Sequence, residues 1–302
     1  MTSERRIKNL AVPTARVDVV LDTDAYNEID DQFAIAYMLK CSDRINVKGI
    51  CAAPFYNSRA KSVADGMEQS YNEIVKLLNL MQTNVDVYRG STDYLADENT
   101  PVISDAAKLM AELARSYSPE HPLYIVAIGA ITNVASAFLL NPEMKENVVV
   151  VWLGGHALHY HDNKEFNMEQ DVAAARVVMS SGVPFVQLPC NGVVDNFRIS
   201  KPELLYWLRG KGALADYLAD AAIAEADSYA EGTAWTRVIW DVTTVAWLLN
   251  DGEKFMQSRI IPTTLPGYDD IYEKEAVGYP MAYVYHIERD ALMNDLIEKI
   301  TK

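Results

Sequence analysis

Four short apolar runs, each followed by a segment with helical spacing, set the narrowest limit on what this chain can become. VDVVLDTD at 17–24, INVKGICAA at 45–53, LYIVAIG at 123–129 and VVVVWLG at 148–154 are strand-like, rich in β-branched residues and little interrupted by polar ones, and PFVQLP at 184–189 is a fifth such run. Period-two alternation fades when neither face of a strand meets water, so these runs predict a parallel sheet covered by helices on both faces. The spacing predicts helices from Asp30 to Cys41, over about 58–80, at 132–140 and from about Glu169 to Ser180. The last third is expected to be mostly helical, near 202–230, 241–249 and 288–301. No linker, repeat or low-complexity tract divides the chain. The expectation is therefore one α/β domain over 1–302, an open, mostly parallel sheet with helices on both faces and a site beyond the carboxyl ends of its strands.

Composition narrows the partners. The chain has 302 residues, and 27 lysines and arginines stand against 42 aspartates and glutamates, a formal net charge of −15. Such a field repels phosphate backbones, so a nucleic-acid partner is not expected and a neutral or metal-bound small molecule is. Cys41, Cys51 and Cys190 are widely spaced and form no CxxC pair, which suggests neither a disulfide framework nor a zinc ribbon and fits a reducing compartment. With no secretory leader pattern and no apolar run near the roughly 18 residues that a membrane span needs, a cytoplasmic protein without a membrane partner is expected.

Asp22, Asp24, Glu28, Asp30 and Asp31 fall within ten residues at the end of the first strand. Asp30 and Asp31 can cap the following helix, which is the ordinary reading of acidic residues in that place. It does not account for Asp22 and Asp24, which alternation directs to one face of the strand. A bound divalent cation would relieve the crowding, and an all-oxygen donor set favours calcium or magnesium over zinc. A solvated acidic turn is the alternative. Taken singly, Thr132-Asn133 and Asp241 read as helix starts, and Glu165 and Asn167 as loop residues.

Taken together, these segments resemble a known family. VVLDTDAYNEIDDQFAIAYML is similar to the DxDPGxDDAxA signature of the inosine-uridine preferring nucleoside hydrolases. Here five residues, Ala25 to Ile29, separate DxD from DD, where the usual turn has three. AIGAITNVASAF at 127–138, EFNMEQDVAAARVVMSSGVP at 165–184 and WDVTTVAWLL at 240–249 follow the family's later segments in order. The resemblance implies the nucleoside hydrolase fold and calcium-dependent hydrolysis of the N-glycosidic bond of a ribonucleoside or related N-riboside, within purine and pyrimidine metabolism. It also implies a homo-oligomer, dimer or tetramer. By position, Asp24, Asp31, Asp241 and the Thr132 carbonyl would hold a calcium ion, and Asp24 would take the proton of the attacking water. Asp30, Asn57, Glu165 and Asn167 would bind the ribose.

The family often places a histidine immediately before the aspartate that Asp241 matches, and this chain has Trp240. A tryptophan cannot protonate a leaving nitrogen, although it can stack on a base. Trp235, Trp240 and Trp247 are also spaced closely enough to helical periodicity to form a core seam. His156, His159 and His161 follow Gly154-Gly155 in a loop, where solvated histidines are expected and contact with a leaving group is the alternative. Tyr26, Tyr229, Trp235 and Arg237 could close a pocket but receive no role. Two rival functions stay open: a non-catalytic nucleoside or sugar sensor, and a glycosidase acting on a different ribosyl compound.

Overall fold

The computed structural model describes residues 1–302. Strands β1 (Val17–Thr23), β2 (Ile45–Ala52), β3 (Val87–Arg89), β4 (Leu123–Ala127), β5 (Val148–Leu153) and β6 (Phe185–Leu188) run parallel in the order β3-β2-β1-β4-β5-β6. A two-stranded ribbon follows, β7 (Arg198–Ser200) with β8 (Thr236–Val238). A long antiparallel hairpin, β9 (Met256–Pro266) and β10 (Tyr272–Ile287), then joins the main sheet through β6 and brings it to eight strands.

The helices are α1 (Ser3–Asn9), α2 (Asp30–Lys40), α3 (Val63–Leu80), α4 (Asp105–Leu113), α5 (Thr132–Leu140) and α6 (Phe166–Gln170). After them come α7 (Val172–Ser180), α8 (Lys201–Trp207), α9 (Ala213–Ala230), α10 (Val242–Leu248) and α11 (Arg289–Thr301). Side chains of α2, α3, α9, α10 and α11 fill one apolar layer, and those of α4, α5 and α7 fill the other. On β5, Val149, Val151 and Leu153 enter the first layer while Val148, Val150 and Trp152 enter the second. Both faces of the strand are dry, which is why its sequence shows no polar alternation.

The chain steps outward from β1 through β2 to β3 and returns on the other side of β1 with β4. A crevice opens where the order reverses, beyond the carboxyl ends of β1 and β4. α2 and α10 pack together on one face and bring their N-termini to that crevice, with Asp30 and Asp31 at the start of α2 and Asp241 immediately before α10.

The expectation of a mostly helical last third is corrected. β8, β9 and β10 lie there, and the first half of β10, YEKEAVGYP, is mostly exposed, so its polar sequence does not read as a strand. The single helix expected over 202–230 is two, because Gly210 and Gly212 adopt φ of +76° and +123° between α8 and α9. The helix expected from about 58 starts at Val63, behind Ser62, whose side chain accepts from the Asp65 N–H. The three tryptophans meet the same apolar layer but do not share a helix: Trp247 is fully buried on α10, while Trp235 and Trp240 precede that helix and pack against the layer partly buried. Trp247→Ala is expected to lower unfolding free energy by about 3–5 kcal/mol in urea titrations, as a large buried aromatic does when removed. A loss below about 1 kcal/mol would show that α10 is not the core element described here.

Candidate active site

The carboxyl ends of β1, β4, β5 and β6 border a cleft of about 320 Å³. Eight of the nine site residues expected from sequence line it: Asp24, Asp30, Asp31, Asn57, Glu165, Asn167, Trp240 and Asp241. Thr132, the ninth, is buried at the head of α5 and does not line the cleft; its hydroxyl donates to Asp171 at 2.7 Å. Asp22 and Asp24 do not share a destination as alternation suggested. Asp22, still within β1, is buried in the sheet and accepts from Asn133 Nδ2 at 2.8 Å, whereas Asp24 lies past the end of the strand, where alternation no longer applies.

The acidic groups are crowded and dry. Carboxylate oxygens of Asp30, Asp31 and Asp241 converge within 4.8 Å of one another, and all three residues are buried. Burial raises the Asp24 carboxyl far above the usual range, and the charges of Asp31 and Asp30 raise it further. Asp31 and Asp241 are raised in the same way, and Asp30 is pushed up to about 7 by burial and by Glu28, against the pull of Arg237. Asp24 approaches its neighbour strand closely because residue 129 is glycine: a Cβ there would meet the Asp24 carboxyl carbon at 3.0 Å. Asp24 Oδ2 is buried with no hydrogen-bond partner. An orphaned carboxylate oxygen beside three converging carboxylates is an arrangement that a cation completes, so these residues fit a metal ion with hard oxygen ligands.

Cationic relief already present in the chain comes from Arg237 on β8. Its guanidinium contacts Glu28 at 2.6 Å, Glu225 at 3.3 Å and Asp30 at 3.5 Å. Glu28 belongs to the two-residue-longer first turn, and Asn27 of the same turn accepts from Asn57 Nδ2 at 2.7 Å. The loop carrying Asn57 is fixed from the far side by Gln170, whose amide donates to the Tyr56 carbonyl and accepts from the Tyr56 N–H, both at 2.9 Å.

The opposite wall is built around Glu165, which accepts from the N–H groups of Gly155 at 2.8 Å, Asn167 at 3.0 Å and Met168 at 2.9 Å. Those bonds lower its pKa, but burial outweighs them and leaves it raised. Asn167 Nδ2 donates to the carbonyls of Leu153 at 3.1 Å and Ile128 at 3.3 Å. Of the loop histidines, His156 is buried and lines the cleft, while His159 and His161 are exposed, so the expectation of a solvated loop holds for two of three. The free thiol of Cys190 also lines the cleft, with Lys164 and Asn191. Sequence reasoning gave these three and Asn27 no place in the site, and named Glu28 only within the acidic cluster. The lengthened turn was the available signal for Asn27 and Glu28, and a position just past the carboxyl end of β6 was the signal for Cys190 and Asn191.

The profile of the family described as inosine-uridine preferring nucleoside hydrolase matches residues 19–278. The chain belongs to that family of N-glycosidic hydrolases. The non-specific ribonucleoside hydrolase RihC of Salmonella paratyphi B is 25% identical over 280 residues, covering 84% of this chain and 85% of RihC. Among solved structures, the plant nucleoside hydrolase PpNRh1 superposes with a TM-score of 0.75 at 16% identity, over 94% of this chain and 99% of its own. The purine-preferring ribonucleoside hydrolase of Gardnerella vaginalis gives 0.72 at 19%, over 94% and 98%. The type III effector XopQ, solved with adenosine diphosphate ribose, gives 0.71 at 17%, over 100% and 99%. At these identities the structures establish the shared fold.

The raised carboxyl pKa values carry a sign. A group whose folded pKa is raised contributes stability that is complete below its unfolded pKa, near 3.9 for aspartate, and is lost as pH rises through the folded value. The metal-free protein is therefore expected to melt at a lower temperature at pH 8 than at pH 5, and calcium is expected to restore the loss at pH 8. Differential scanning calorimetry with chelator and with calcium checks both; a chelated protein equally stable at the two pH values would mean that the carboxylates are not crowded as described.

Proposed function

We propose that the protein is a calcium-dependent ribonucleoside hydrolase that converts a neutral ribonucleoside or related N-riboside to ribose and free base. The observation that carries this reading is the buried, unpartnered Asp24 Oδ2 in the cleft that also holds Asp30, Asp31, Asp241, Glu165 and Asn167. Asp24, Asp31 and Asp241, with the Thr132 carbonyl, would hold the ion. When bound, a divalent cation there neutralises the carboxylates and acidifies a ligated water. A cytoplasmic homo-oligomer is part of the same reading, the oligomer resting on the family resemblance.

The chain's own residues supply the remaining work. Asp24 takes a proton from water as its oxygen bonds to C1′ of the sugar, while the electron pair of the C1′–N bond leaves with the base. Asp30, held by Arg237, accepts from ribose hydroxyls, and Asn57, Glu165 and Asn167 fix the rest of the sugar. Acceptors on both sides favour the positive charge that develops at C1′. Burial keeps bulk water from screening that charge.

Asp24→Ala is expected to abolish release of reducing sugar from inosine and uridine, a drop of several orders of magnitude at about 1.4 kcal/mol for each tenfold, with an unchanged circular dichroism spectrum. Retention of more than about a tenth of the rate would remove Asp24 from the reaction. Calorimetric calcium titration of Asp24→Ala and Asp241→Ala is expected to show weakened binding in both, and undiminished affinity in either would remove that residue from the ion's ligands.

A second reading is favoured by Trp240 and by Asn27 and Glu28 of the lengthened turn, all of which alter the cleft. Under it the substrate is a different ribosyl compound, and a substrate panel that includes adenosine diphosphate ribose separates the two.

A further inference from the structure

Resting on the hydrolase reading, the question left by Trp240 is what receives the departing base. Of the five histidines, His156 alone lines the cleft, and its placement is over-determined. Its N–H donates to Asn163 Oδ1 at 2.8 Å, its carbonyl accepts from the Tyr272 hydroxyl at 3.1 Å, and its ring meets Tyr160 edge-on with centroids 4.8 Å apart. Tyr272 is in turn held by Gln187 Nε2 at 2.8 Å. A histidine that merely decorated a loop would not be fixed along its backbone and its ring at once.

The ring nitrogens have distinct partners. Nδ1 accepts the backbone N–H of Asn191 at 3.4 Å, which assigns the proton to Nε2. Asn191 Nδ2 lies 3.3 Å from Nε2, so with that assignment the carboxamide turns over to present its oxygen to Nε2–H. Both contacts are long for hydrogen bonds of their kind, so Nε2–H can exchange its partner for an acceptor on a ligand without losing a strong bond. Burial holds the imidazole below its usual pKa, against the pull of Asp162, so the donor is a neutral ring.

We propose that His156, aligned by Asn191, donates its Nε2–H to the departing nucleobase and takes the place of the histidine that the family often carries where this chain has Trp240. The bookkeeping of the step is closed. Water oxygen bonds to C1′, its proton passes to Asp24, the C1′–N pair leaves on the base, and the Nε2–H hydrogen bond stabilises the resulting anion until it takes a proton from solvent. His156 keeps its own proton, as suits a neutral imidazole acting as a hydrogen-bonding electrophile. The donor comes from the loop after β5 rather than from the start of α10. Trp240 is then free to stack on the base.

The test compares inosine, uridine and p-nitrophenyl riboside, whose leaving group is a stable anion that needs no donor. His156→Ala is expected to lower kcat/KM for inosine and uridine by at least about 100-fold, the low end for loss of one preorganised donor, and to change the aryl riboside by less than about threefold. His156→Gln, which keeps an N–H donor, is expected to recover part of the nucleoside rate. Asn191→Ala, which leaves the ring in place but unaligned, is expected to shift the nucleoside-to-aryl ratio in the same direction as His156→Ala. Equal losses on all three substrates would give His156 a purely structural role and overturn the proposal, as would an unchanged inosine rate. A parent enzyme inert towards all three would overturn the hydrolase reading and this inference with it.

Discussion

Repulsion among carboxylates buried together past the end of β1 is the condition to which the rest of the structure answers. Asp24, Asp30, Asp31 and Asp241 each lose hydration, and the charge of Asp30 raises the other three further. Taking one carboxylate out of water costs several kcal/mol even after relaxation, whereas a helix N-terminus returns about 0.3–1 kcal/mol and at most about 2. The N-termini of α2 and α10, the Thr23 hydroxyl on Asp31 and the Arg237 guanidinium near Asp30 therefore offset only part of the cost. A proton or a metal ion supplies what remains. The layered packing of α2 against α10 holds the groups together in the meantime, which is why a well-packed core lies under a strained rim.

The parallel half of the sheet was legible because β1, β4 and β5 are buried on both faces and leave that fact in their composition. The hairpin of β9 and β10 was not, because much of it faces solvent, carries charged residues and contains Gly278 and Pro280, and so presents the sequence of a loop. Most of the acidic cleft could be found from spacing and resemblance, since helix starts place Asp30, Asp31 and Asp241 by local rules. Arg237 could only be named without a role. Its partners Glu28 and Asp30 are far from it in the chain, and no local rule couples a three-residue strand to a turn some two hundred positions earlier. Trp240 shows the limit of periodicity: its spacing from Trp247 fits a helix, yet α10 begins two residues later and Trp240 turns to the cleft.

The cleft divides by how firmly its walls are held. The wall proposed to meet the sugar is bounded by groups satisfied several times over, such as Glu165 with three backbone donors and Asn167 bridging two carbonyls. Rotamers there are fixed before a ligand arrives, which removes an entropic cost of binding. The end proposed to meet the base has Trp240 and the loosely bonded His156–Asn191 pair, whose contacts are long and exchangeable. Discrimination among leaving groups belongs at that end.

The clamp between Gln170 and Tyr56 bears on how this part of the molecule can diverge. Of residue 56, Gln170 grips only peptide atoms, one donor and one acceptor, as a neighbouring strand would, while the Tyr56 side chain is exposed. The attachment is therefore blind to which amino acid occupies position 56. Position 56 can therefore change while Asn57 stays at its post, whereas Phe55 on its other side is fully buried and is held by packing instead.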